Sequence, residues 1–313
     1  MHPRILTMKD KKIVAKEKKF AGKFDSIKSE ELMSYIDANI LGEDHRYENH
    51  SSNGKKKQVI LFLTNKSDLN TLNRYKYFQL QCELYGKTEL VFHKTVSSVE
   101  TKEMESLSPY VFEDSILEDL GYMPISDSLL PGSNHFPLLK YFRENPGFDY
   151  YWFVEDDVRY IPGWDNFFSF FKMEERKEDF LTSHVKENID EPNWHWWYTL
   201  EYKQKQVSDN IKIRSFNPIY RISNSALEFV HHCLSNGWTG HHEVLLPTLI
   251  KKGGFVVSDF GGNGKFVAEN EMNRFYDGGS NDFFGEISTG TMRFRPVIDD
   301  AEMIQPLLYH PVK

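Results

Sequence analysis

The sequence predicts an α/β fold in which a central, mostly parallel sheet is flanked by helices. Two observations carry this. Short apolar runs at 59–63, 89–93 and 150–154 alternate with longer stretches whose apolar residues recur at helical spacing. That is the pattern of parallel strands joined by crossover helices. The third run, Tyr150-Tyr151-Trp152-Phe153-Val154, is aromatic or aliphatic at every position, as suits a strand buried on both faces, and it ends abruptly in Glu155-Asp156-Asp157. Unpaired carboxylates cannot share that buried environment. The strand therefore delivers them at its C-terminal edge, where ligands bind in open α/β sheets.

Along the chain, residues 1–57 read as a peripheral arm and the main domain as 58–313. Within the arm, Leu32, Met33, Ile36 and Ile40 have helical spacing, and 42–57 is a polar loop. The first strand, from Val59, runs into Thr64, Asn65, Lys66, Ser67 and Asp68, a strand edge followed by N-cap residues. Leu72, Tyr75, Phe78, Cys82 and Tyr85 then mark a helix over 69–85, stopped by Gly86. A third strand or edge is expected over 109–114, a turn-rich loop over 129–137, and a helix over 136–142 ended by Asn145, Pro146 and Gly147. After the acids come a Pro162-Gly163 turn, an aromatic helix from Asp165, a strand over 180–185 and an aromatic-dense stretch over 193–202. An alternating segment over 211–222 contains Pro218. Ser223 starts a helix, and Gly240, His241, His242 and Glu243 lead into another that runs through Ile250. A short strand over 255–257 follows. The Gly- and Asn-rich stretch 261–290 reads as mobile.

Composition narrows the function. With 313 residues, 40% hydrophobic and 15% aromatic, the chain can bury a sizeable core. A net charge of −8 argues against a nucleic-acid binder. The lysines between Lys9 and Lys23 form either a solvated arm or a contact for anionic lipid or another polyanion. No apolar stretch is long enough to span a bilayer and no apolar leader is present, so the expected location is cytoplasmic. Cys82 and Cys233 set up no spacing framework. Phosphate-loop, dinucleotide-fingerprint and nucleophile-elbow patterns are missing. His241 and His242 are adjacent, not at the i, i+4 spacing of a zinc pair.

Three features remain, each with a plainer alternative. Glu155-Asp156-Asp157 is either a divalent-metal site, because a cation relieves the mutual repulsion of close carboxylates, or an acidic turn after a core strand. Glu243 is either a functional carboxylate or a first-turn Glu favoured by the helix dipole. His310 is either a surface residue or an imidazole completing a metal shell. Trp194, Trp196 and Trp197 either stack on sugar rings or fill the core.

The segment Tyr151-Trp152-Phe153-Val154-Glu155-Asp156-Asp157-Val158 resembles the metal-binding motif of the GT-A glycosyltransferases, and its Glu-Asp-Asp form is similar to that of the Golgi N-acetylglucosaminyltransferases. Its first acid is Glu where the commonest form has Asp. Asn217-Pro218-Ile219-Tyr220-Arg221-Ile222-Ser223 looks like the acceptor-side segment of that family. His242-Glu243 resembles the segment supplying the base in inverting members, and His310 the late His of the metal shell. The resemblance implies a GT-A fold and a Mn2+ or Mg2+ ion held by Asp157 and His310. It implies Glu155 and Asp156 against the ribose, the sugar or metal-bound water, and Thr64 and Asn65 against the nucleoside. It further implies Lys313 reaching the diphosphate and Glu243 as the base. The expected partners are a nucleotide sugar, with UDP the family's commonest nucleotide, and a glycan or glycoconjugate acceptor. A sugar nucleotidyltransferase and a non-catalytic carbohydrate-binding protein are the alternatives.

Overall fold

The computed structural model describes residues 57–99, 101–172, 176–282 and 285–313. The basic arm, the helix near Leu32 and the polar loop up to residue 56 lie outside these described residues. In chain order the elements are β1 (Gln58–Thr64), α1 (Leu69–Cys82), β2 (Lys87–His93), α2 (Lys102–Glu105), β3 (Tyr110–Phe112), α3 (Ile116–Asp119), α4 (Phe136–Glu144), β4 (Tyr150–Glu155), β5 (Arg159–Tyr160), α5 (Trp164–Phe170), β6 (Phe180–Glu187), β7 (Glu201–Tyr202), β8 (Lys205–Gln206), β9 (Ile213–Ser223), α6 (Asn224–Ser235), β10 (Trp238–Thr239), α7 (His242–Lys252), β11 (Val257–Asp259) and β12 (Leu308–Tyr309).

Seven strands form the central sheet in the order β11-β6-β9-β4-β1-β2-β3. Neighbours run parallel except at β9, which is antiparallel to both β4 and β6. This is the mixed α/β, mostly parallel architecture that the alternation of runs predicts. The pleat sends alternate side chains to opposite faces. Val59, Leu61, Tyr151 and Phe153 join one core with α4, α6 and α7. Ile60, Phe62, Trp152 and Val154 join the other with α1 and α5. Burial on both faces explains the unbroken apolar run of β4. At its centre, the Trp152 indole N–H donates to Gln58 Oε1 at 3.1 Å.

Local signals set the helix starts. Asp68 caps α1, accepting from the Thr71 amide at 3.0 Å, and Ser223 caps α6, accepting from the Ala226 amide at 3.2 Å. The first helix is shorter than its spacing suggests: Tyr85 and Gly86 both turn their amides onto the Cys82 carbonyl, which closes it at Cys82. Cys82 and Cys233 are buried free thiols.

Pro218 stands in a fully buried strand, where a residue without an N–H ordinarily breaks the ladder. It is tolerated because the pairing with β4 reaches only to Ile219 opposite Val154, while the ladder with β6 shifts register between Leu181 and Lys186.

The stretch 261–290 holds local structure among its described residues. Its described residues form turns and bridges packed on the body of the protein. The Asp259 carboxylate gathers the amides of Gly261 and Gly262 and the Tyr276 hydroxyl. Gly285, at φ +78°, lies so close to Trp194 that a Cβ would sit 2.7 Å from its backbone.

Candidate functional site

Strand order reverses between β1 and β4: the chain builds outward through β2 and β3 on one side, then returns to place β4 on the other. The crevice beyond the C-terminal ends of such a pair is where open α/β sheets take ligands. Thr64 ends β1 and Glu155 ends β4. The pleat then splits the three acids. Asp156 turns toward β1, accepting from Thr64 Oγ1 at 2.5 Å and from Lys66 Nζ at 2.9 Å. Glu155 and Asp157 take the other side.

There they meet His310. Its Nε2 lies 3.4 Å from Asp157 Oδ1 and 3.8 Å from Glu155 Oε2. The C-terminal segment brings it in. Strand β12 pairs antiparallel with β5, immediately after the acids, setting Tyr309 opposite Arg159. The Val312 amide then donates to the Asp157 carbonyl at 2.8 Å. The other ring nitrogen, Nδ1, donates to the Arg293 carbonyl at 2.9 Å. With Nδ1 committed to a backbone carbonyl, Nε2 is the nitrogen that faces the acids, and it offers a lone pair to a metal once its own proton is displaced. Glu155 is held in turn by the Asn134 side-chain amide at 2.6 Å.

The three donor atoms lie within 4.8 Å of one another. Adjacent ligands about 2.1 Å from a shared ion stand about 3 Å apart, so a small closure completes the shell. Two carboxylate oxygens and one imidazole are a donor set that a divalent cation can use. The electrostatics fit a site that wants a cation. Burial, then the Asp157 and Asp156 charges, push Glu155 up to about 7 against the pull of His310 and Asn134. Burial also works against an ionised Asp157, but the charge and hydrogen bond of His310, with Lys66 and Arg159, hold it below the usual carboxylate range. Burial works against a charged His310 too, yet Asp157 and Glu155 raise it above the ordinary imidazole value.

Glu243 sits in the first turn of α7, its side chain 13% exposed. The Asn217 amide on β9 donates to its Oε1 at 3.3 Å. Burial, resisted by Arg214 but helped by Glu286 and Glu155, raises its carboxyl to about 8. Loop 129–135 links it to the Glu155–Asp157–His310 cluster: Asn134 holds Glu155, while the Gly132 carbonyl accepts the His242 amide at the start of α7. Burial keeps His135, His241 and His242 neutral.

The tryptophans all belong to the core, Trp196 packing against the same cluster as Trp194 and Trp197. Trp194 and Trp197 are buried in the core, whereas Trp196 is half-buried and stacks on His241 at 4.6 Å. Among the other expected residues, Asn65 and Lys313 are exposed. Glu155 stands beside Asp157 and His310, while Asp156 accepts from Thr64 and Lys66. Sequence reasoning passed over Asn134, Lys66 and the Arg293 carbonyl. Asn134 had a weak signal, a polar residue in a turn-rich loop just ahead of the acidic strand. The carbonyl had none, since every residue carries one.

No protein-family model matches the sequence, nor does any curated protein. The chain is similar in structure to a glycosyltransferase involved in the glycosylation of the major capsid of PBCV-1, at 11% identity and a TM-score of 0.29, over 56% of this chain and 65% of that one. It thus spans about 65% of that glycosyltransferase's length. It is also similar to the inositol-1-phosphate CTP transferase from T. maritima, at 10% identity and a TM-score of 0.34, over 66% of this chain and 85% of that one. Both scores are low and assign no activity. Among the described residues, no helix is long and apolar enough to cross a membrane.

Proposed function

We propose that the protein is a metal-dependent glycosyltransferase that moves a sugar from a nucleotide-sugar donor, with UDP the first nucleotide to test, to a hydroxyl of a glycan or glycoconjugate acceptor. The observation that carries this reading is the convergence of Glu155, Asp157 and His310 Nε2 beside the reversal of strand order. Asp157 and His310 hold Mn2+ or Mg2+, and Glu155 is the third ligand or fixes a water on the ion. A divalent cation there offsets the negative charge of a diphosphate leaving group. Thr64 and Asn65 line the nucleoside side. Asp156, tied to Thr64 and Lys66, shapes that edge, and the exposed Lys313 extends toward the diphosphate. Glu243 accepts the proton of the acceptor hydroxyl, its raised pKa making it a stronger base than an exposed carboxylate once ionised. One base acting opposite the leaving group implies inversion at the anomeric carbon. Residues 58–313 constitute the transferase domain and 1–57 a peripheral segment.

Titration calorimetry with UDP, GDP and CDP, each with and without Mn2+, tests the donor side. We expect one nucleotide to bind only with metal, and Asp157→Ala to abolish that binding while the protein stays folded. Undiminished binding by this variant removes the metal assignment. A donor screen by nucleoside diphosphate release then identifies the sugar, and Glu243→Gln is expected to keep donor binding and lose transfer. Binding of free sugars with no response to any nucleotide replaces the transferase with a carbohydrate-binding protein. Consumption of a nucleoside triphosphate with a sugar phosphate replaces it with a nucleotidyltransferase.

A further inference from the structure

We propose that Arg74 and Arg159 form a binding site for a phosphoryl group, free phosphate or a phosphate monoester, in the crevice between α1 and the β5–α5 connection. Arg74, Tyr77 and Gln81 stand on one stripe of α1 and face Arg159, Tyr160 and Trp164 across a cavity of about 110 Å³. That is room for one tetrahedral oxyanion.

The two guanidinium groups are short of partners. Arg74 donates one N–H to Thr71 Oγ1 at 2.8 Å, and its Nε is buried with no partner. Arg159 spends Nη1 on the carbonyls of Asp156 and Val158, both at 2.7 Å. Among the described residues, neither guanidinium forms an ion pair with a carboxylate. Asp156, Asp157 and Asp300 act on Arg159 only as more distant charges, and Arg74 acts likewise on Asp68. Two guanidinium groups beside one cavity are the donor set that recognises phosphate, through charge-assisted and bidentate hydrogen bonds. The Tyr77 hydroxyl accepts from Gln81 Nε2 at 2.8 Å and keeps its own proton available to an oxyanion.

The site does not depend on the proposed sugar transfer, and the titration that tests its existence uses neither metal nor sugar. Calorimetry and thermal shift on the full chain with sodium phosphate, against sodium chloride at equal ionic strength and in EDTA, should give saturable binding to the wild type and a raised Tm. Arg74→Gln, at a helix position that glutamine suits, should weaken binding at least tenfold with unchanged circular dichroism. Arg74→Gln combined with Arg159→Gln should remove it. Absence of saturable binding to the wild type, or equal affinity in the folded double variant, overturns the site. Adding UDP with Mn2+ separates the two sources of the phosphoryl group. Competition identifies it with the nucleotide's own phosphates, and independent binding identifies a separate phosphate ligand. Failure of the phosphate titration leaves the metal-dependent nucleotide titration free to succeed.

Discussion

Replacing Glu243 with Gln should make the metal-free protein more stable at neutral pH. Burial is the main reason the Glu243 carboxyl titrates near 8 in the folded protein, against an ordinary value of 4.5. A carboxyl with a raised folded pKa keeps a proton that the unfolded chain has already released. Folding therefore costs more as pH rises from about 4.5 to about 8, and the cost is absent below that window. At pH 7 the difference between the two titrations amounts to about 3 kcal/mol. Glutamine keeps the Oε1 acceptor that faces the Asn217 amide and has no charge to desolvate. Urea denaturation in EDTA should then show the variant about 1–3 kcal/mol more stable at pH 7, with a larger gain at pH 8 and nearly none at pH 4. A gain of equal size at pH 4 and pH 8, or none at pH 8, refutes the claim that a buried carboxylate is the source. A more stable but inactive variant is the pattern expected when an active-site group is kept at the expense of stability.

Three further outcomes are expected. Asn134→Ala, which frees Glu155 on one side, should lower Mn2+ affinity roughly 10–100-fold in a calorimetric titration; unchanged affinity would mean the bond does not orient a ligand. Mn2+ affinity should fall as pH drops toward and below 7, where Glu155 and the raised His310 hold protons that the metal must displace. Titration in two buffers of different ionisation enthalpy should reveal that proton release, and equal apparent heats would contradict it. Tyr276→Phe removes both hydroxyl contacts to the buried Asp259 carboxylate and should destabilise the fold by about 1–3 kcal/mol in urea. A change of a few tenths would show that the glycine amides satisfy Asp259 unaided.

What could be read from residue order was what depends on local periodicity. The run Tyr150 to Val154 is unbroken because β4 is covered on both faces, so both its existence and its acidic end were legible. The stop at Asn145 and the caps at Asp68 and Ser223 act within a few residues, and they too were legible. Pro218 lies in a central strand, and only the pairing of β9 shows why it is harmless there. The Trp194–Trp197 stretch resisted a single reading because its burial is decided residue by residue, by Gly285 and His241 from far along the chain.

The amino-acid sequence alone determined that a hydrophobic strand would present three acids at its edge, since buried unpaired charge is prohibitive wherever the strand sits. It also supplied a late histidine and an acid at a helix start, with nothing local to connect them. Tertiary structure decided which acids face which way. The pleat and the Thr64–Lys66 pair take Asp156 to one side, and the pairing of β12 with β5 brings His310 to Asp157 and Glu155 on the other. Long-range pairing leaves no periodic trace in sequence, because its free energy comes from strands that meet only after the chain has folded.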